Sequence, residues 1–151
     1  MIKIEKYEFD ETLYYDRKDH LWARIEDETR VRVGLDMFGQ NSAGTVVYLK
    51  ILPAGKPARK GRAFGSLEAG KYVGPLKAPV AGKLVEVNQE VLDDPGLVNS
   101  DPYGRGWFVV IEPSNLQADL SDLAHGEADI RAWVESDLRE YRAKGLLDEE
   151  D

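Results

Sequence analysis

The chain has 151 residues, enough for one domain with a single modest core, and its 42% apolar content marks it as globular rather than disordered. A formal net charge of −8 is the opposite of the basic surface a nucleic-acid binder needs and would be repelled by acidic membranes, so the charge suits solubility and docking onto basic patches of protein partners. The absence of cysteine excludes disulfides, thiolate nucleophiles and zinc–thiolate sites, and no apolar run approaches a membrane span or a signal-peptide core, which leaves a cytoplasmic protein as the default expectation.

In chain order, the first ten residues mix charged and apolar side chains. Short strands are predicted at 12–15 and 21–25, with a turn at 16–20 between them, a second turn at 26–29 and a third strand at 31–34. Asp36 is placed to cap a short helix running to about Ser42. The apolar, β-branched stretch 45–52 reads as a strand broken by Pro53, Gly55 and Pro57, and further strands are expected at 63–68, 73–78 and 83–87. Segments 93–96 and 99–106 are rich in turn residues, and 107–112 is the last clear strand.

Beyond it, Ser114 with Gln117 has the pattern of a capping box opening a short helix. Ile130, Trp133, Val134, Leu138 and Tyr141 recur at helical spacing, as one apolar face that packs on the core or covers an open barrel edge. The expected organisation is a single domain over 1–151, with a core at about 12–113, a helical region at about 114–145 and an acidic tail at 146–151.

Two segments repeat weakly in the same order. Residues 43–49 parallel 81–87, and residues 63–68 parallel 107–112. Two half-units of strand, loop and strand, neither able to bury its apolar face alone, are expected to pack face to face as a flattened barrel.

The chemistry is expected in 64–82. A strand runs into Glu68-Ala69-Gly70-Lys71-Tyr72 and another runs away through Val73. Gly70 is expected to supply the positive φ of a tight hairpin, leaving Lys71 pointing into solvent at its tip. A single lysine in a turn is by itself a solvated surface group. On a stiff hairpin, however, its four-carbon stem and amine make a good post for an amide-linked cofactor.

The surrounding residues carry a resemblance. Ala63-Phe64-Gly65-x-x-Glu68-x-x-Lys71, followed by Ala78-Pro79-Val80-x-Gly82-x-Leu84-x-Glu86-Val87-Asn88, resembles the lipoylation region of glycine-cleavage H proteins. Asp19-His20-x-Trp22, Val33-Gly34-Leu35, the run Leu97-Val98-Asn99-Ser100-Asp101-Pro102-Tyr103-Gly104-x-Gly106-Trp107 and Glu112-Pro113-Ser114 resemble elements of the same family in the same order. The resemblance implies a mainly β barrel-sandwich hybrid of two small sheets with short helices and a C-terminal helix. It further implies lipoic acid attached covalently to Lys71, and a swinging-arm carrier with no catalysis of its own. The implied partners are a lipoate ligase or lipoyl transferase, glycine cleavage enzymes and dihydrolipoyl dehydrogenase. Biotin carriers share the architecture but flank the modified lysine with methionines, whereas Gly70 and Tyr72 stand here.

Three departures concern cargo. The family shelters a basic aminomethyl group with polar side chains at positions where this chain has Leu21, Phe38 and Pro75. An amine leaving water needs carboxylate partners, which apolar residues withdraw. The Gly70-Lys71-Tyr72-Val73-Gly74-Pro75 pattern also resembles the H-like lipoate-binding proteins of sulfur oxidation, which work with heterodisulfide-reductase-like complexes. A sulfur cargo is therefore the expected reading, an ordinary aminomethyl-shuttling H protein is its alternative, and an unmodified scaffold is a third.

Glu68 reads either as a surface charge at a strand end or, by the resemblance, as a recognition element for the enzyme that attaches lipoate. Tyr72 and Phe38 read as aromatics against a docked dithiolane ring or as ordinary aromatics, with Phe38 expected in the core. His20 is expected to make a structural hydrogen bond near the cleft and His125 to sit at a helix boundary. Neither pattern suits a metal site, and Asp93, Asp94 and Asp101 lack the spacing of a calcium loop. No nucleophile–base set or phosphate loop supports an enzyme.

Overall fold

The structure is a computed structural model that describes residues 1–147. It opens with a hairpin of β1 (Ile2–Ile4) and β2 (Tyr7–Phe9), followed by β3 (Tyr14–Tyr15), β4 (Leu21–Asp27), β5 (Arg30–Leu35) and helix α1 (Met37–Ala43). Next come β6 (Val46–Ile51), β7 (Pro57–Ala58), β8 (Ala63–Ala69), β9 (Val73–Lys77) and β10 (Gly82–Val87). Helices α2 (Gln89–Asp93) and α3 (Leu97–Ser100) precede β11 (Val109–Pro113), α4 (Leu116–Leu120), β12 (Ala124–His125) and the long helix α5 (Glu127–Ala143). The last four positions of the expected acidic tail, 148–151, lie outside the described residues.

Two sheets form a barrel-sandwich hybrid. One has seven strands in the order β12-β3-β4-β5-β11-β10-β7, and the other has three in the order β6-β8-β9. The echoed segments fall in opposite sheets. β6 pairs antiparallel with β8 in one, and β10 pairs antiparallel with β11 in the other. The barrel interior between them is filled by Leu49, Phe64, Leu67, Leu76, Leu84, Val109 and Ile111.

A second core lies on the outer face of the large sheet. Within β4, Leu21 and Ala23 point into the barrel, whereas Trp22 joins Tyr15, Phe38, Ile130, Trp133, Val134 and Leu138 on the other side. The continuous apolar run at 21–23 is thus a strand buried on both faces, as such runs require. α5 covers this face with the stripe expected of it: Ile130, Trp133, Val134 and Leu138 are buried, and Tyr141 packs against the same cluster. Full burial of side chains this size contributes roughly 1.5–3 kcal/mol each.

Several local expectations are corrected. Residues 2–9 form a hairpin whose Ile2, Ile4, Tyr7 and Phe9 alternate inward and complete the second core, an alternation the mixed composition of the segment masked. Of 12–15, only Tyr14–Tyr15 pairs as a strand. The turn-rich region contains α2, capped by Asn88 accepting from the Glu90 N–H, and the single turn α3. Helix α4 starts at Leu116 behind Asn115 with no side-chain capping bond, so Ser114 and Gln117 do not form a capping box. Asp36 does cap α1, accepting from the Gly39 N–H at 2.7 Å.

Candidate functional site

β8 and β9 form the expected hairpin, with Glu68 opposite Val73 and Gly70-Lys71-Tyr72 at its tip. Lys71 and Glu68 are both exposed. The Ala69 N–H donates to the Tyr72 carbonyl at 2.8 Å, closing the turn. Gly70 does not adopt positive φ, which corrects the reason expected for it, and a Cβ there would meet nothing nearer than 4.0 Å.

What stiffens the tip is a second loop. The Gly70 N–H donates to the Thr45 carbonyl at 3.1 Å and the Lys71 N–H to the Ala43 carbonyl at 2.8 Å. The left-handed residue stands in that loop: Gly44 ends α1 with φ 89°, turning the chain so that both carbonyls face the hairpin. Tyr72, 46% exposed, folds over Gly74, where a Cβ would lie 2.1 Å from the phenolic oxygen.

Beside the tip lies a cleft of about 480 Å³ whose walls include Lys71, Tyr72, Leu35, Leu67, Leu76 and Ser42. Leu21, Phe38 and Pro75, the three departures, all line it, as do Tyr141 and Leu146 from α5 and the segment after it. Phe38 is also core, with 1% of its surface exposed and its ring edge-on to Tyr7 and Tyr141 at 5.0 Å. Among the described residues lining the cleft, Asp19 is the one carboxylate, set against Lys18, His20 and Lys71. Burial, and then the charge of Asp16, push the Asp19 carboxyl above its usual range.

His20 forms part of the floor. Its backbone sits in the left-handed region at φ 62°, and its ring lies between Phe38 and Trp133 at centroid distances of 4.8 and 4.7 Å. Nδ1 is 2.8 Å from Asp36 Oδ2 and Nε2 is 2.7 Å from Asp137 Oδ2. Burial alone favours the neutral ring, but the charge of Asp36 and the hydrogen bonds to both carboxylates outweigh it, and the pKa is raised to about 9. His20 is thus a buried imidazolium held by two carboxylates. His125, in β12 just before α5, stacks on Tyr14 at 3.9 Å away from the cleft.

Sequence reasoning singled out Lys71, Glu68, Gly70 and Tyr72, which the structure gathers at one tip, with Glu68 outside the cleft lining. It missed the loop 43–45, Asp137, Tyr141 and Leu146 as parts of the site. Their contacts join residues far apart in the chain, and no local pattern announces them.

Residues 13–136 match the model of the family described as glycine cleavage H-protein. The chain belongs to the glycine cleavage H-protein family. It is 39% identical over 142 residues to glycine cleavage system H protein 2 of Aquifex aeolicus strain VF5, covering 92% of this chain and 85% of that one. It is 42% identical over 128 residues to the glycine cleavage system H protein of Anaeromyxobacter sp. strain K, covering 85% and 97%. The crystal structure of the H protein from Mycobacterium marinum superposes with a TM-score of 0.66 at 31% identity, covering 70% of this chain and 87% of that one. H proteins carry lipoic acid on a lysine and have no catalytic activity of their own. The hairpin β1–β2 and the end of α5 from Asp137 onward lie outside the matched span. Among the described residues, no helix is long and apolar enough to cross a membrane.

Proposed function

We propose that this chain is a swinging-arm carrier with lipoic acid amide-linked to Lys71 Nζ, shuttling aminomethyl between glycine decarboxylase, aminomethyltransferase and dihydrolipoyl dehydrogenase. The observation that carries this reading is the exposed Lys71 on a hairpin tip pinned by two backbone hydrogen bonds beside an apolar-walled cleft. A fixed root and a long flexible stem suit an arm that visits several enzymes, and the cleft is adjacent to the tether's root. Acylation by a lipoate ligase or lipoyl transferase turns the charged amine into a neutral amide. The names of the relatives favour the aminomethyl cargo.

A second reading, a sulfur cargo carried on the dithiol for a heterodisulfide-reductase-like complex, is favoured by one observation. Leu21, Phe38 and Pro75 all face the cleft, and Asp19 is the one carboxylate among its described lining residues. A cationic amine leaving water there has a single acidic partner to meet.

Expression in a lipoate-competent host followed by intact-mass and peptide analysis tests the attachment. An unmodified Lys71 in the presence of active ligase leaves only the scaffold reading. Loading of the lipoylated protein from labelled glycine by glycine decarboxylase, at the rate of an ordinary H protein, supports the aminomethyl cargo. Failure to load, with capture of sulfur by the reduced dithiol from a persulfide donor, supports the second reading.

A further inference from the structure

Asn99, on α3, makes three hydrogen bonds around the loop that holds the hairpin tip. Its Oδ1 accepts from the Val46 N–H at 2.8 Å, and its Nδ2 donates to the Gly44 carbonyl at 2.9 Å and to Gln40 Oε1 at 2.7 Å. A backbone N–H requires the oxygen and a backbone carbonyl requires the NH₂, so these partners fix the orientation of the amide. Gly44 and Val46 bracket Thr45, and Ala43 immediately precedes Gly44. One side chain therefore spans the loop whose Ala43 and Thr45 carbonyls receive the Lys71 and Gly70 N–H groups. Through Gln40 the same amide ties the loop to α1, whose Phe38, Gly39, Ser42 and Ala43 line the cleft.

We propose that Asn99 is a positioning residue for the acylation of Lys71: it braces the 43–46 loop so that the root of the arm keeps one place relative to the cleft wall and to an enzyme docking on the hairpin. Asn99 makes no hydrogen bond to the hairpin itself and acts through Ala43 and Thr45. This rests on the reading of Lys71 as the lipoylated residue. Asn99→Asp isolates the role, because the near-isosteric carboxylate still accepts from Val46 but sets an oxygen against the Gly44 carbonyl.

Amide hydrogen exchange on the unacylated full chain, followed by NMR, tests the brace directly. In the wild-type chain the Gly70, Lys71 and Val46 amides should be protected together, and free exchange at Gly70 and Lys71 would overturn the proposal without any variant. In Asn99→Ala all three amides should exchange about tenfold faster, the scale of losing a hydrogen bond, and in Asn99→Asp, which keeps the acceptor for Val46, the Gly70 and Lys71 amides should do so, with Val110 and Ile111 in β11 read alongside to report any global loss of stability. With a lipoate ligase, kcat for the variants should fall about tenfold with KM for the protein little altered, because the surface it docks on is intact. An unchanged kcat beside a loosened tip, or tip amides indifferent to the substitution, would overturn the proposal. Absence of acylation in the wild-type chain would instead refute the reading of Lys71, leaving the exchange result to decide the brace.

Discussion

His20 Nε2 lies 2.7 Å from a carboxylate oxygen of Asp137, 117 residues further along the chain. With Asp36 on the other ring nitrogen at 2.8 Å, one buried imidazolium joins the start of β4, the cap of α1 and the face of α5. The two aromatic rings that sandwich it, Phe38 and Trp133, come from the same two helices. The contact thus fixes α5, and with it Tyr141, on the edge of the cleft.

This contact sets a pH dependence. The pKa of His20 is raised from 6.5 to about 9 on folding, so its stabilisation is fully present below pH 6.5 and is lost as pH rises through about 9. Urea midpoints should fall across that window, and Asp137→Asn should flatten the fall while lowering stability at neutral pH by about 1.5–3 kcal/mol, the range for hydrogen bonds to charged groups. A wild-type midpoint that stays level across the window would remove the charged state from the account.

Phe38→Ala should destabilise by about 3–5 kcal/mol, because a ring with 1% of its surface exposed leaves a cavity between His20, Tyr7 and Tyr141. Denaturant unfolding measures this. A change below about 1 kcal/mol would mean that the second core collapses around the gap.

The β1–β2 hairpin should matter through its apolar alternation rather than its charges. Ile4→Ala, at a buried position of the second core, should cost about 2–5 kcal/mol. Glu5→Ala, which removes an exposed pair with Arg142, should cost less than about 1 kcal/mol. Equal losses in thermal or chemical unfolding would argue against a core role for the hairpin.

Lys71→Arg should abolish the mass gain in a lipoate-competent host and shift stability by no more than about 0.5 kcal/mol, since the exposed side chain changes while the bond from its N–H to Ala43 remains. Glu68→Ala, also at an exposed position, should keep the fold and slow lipoylation in a timed mass-spectrometric assay. Full modification at the wild-type rate would make Glu68 an ordinary surface charge.

Much was legible in one dimension because the signals are local. Strand alternation and β-branched runs located β4 to β6 and β8 to β11 to within a few residues, Asp36 announced the start of α1, and the stripe from Ile130 to Tyr141 announced the buried face of α5. The Glu68–Tyr72 stretch marked a hairpin with its lysine outward, since strand and turn chemistry settle that within a dozen residues. Turn chemistry places a positive φ at Gly70, but the left-handed residue is Gly44, in a second loop whose Ala43 and Thr45 carbonyls pin the tip. The tertiary structure alone brought Asn99 to that loop, Asp137 to His20, and Tyr141 to the cleft. A hydrogen bond or ion pair between distant segments depends on how the whole core packs, and leaves no periodicity in the chain from which to read it.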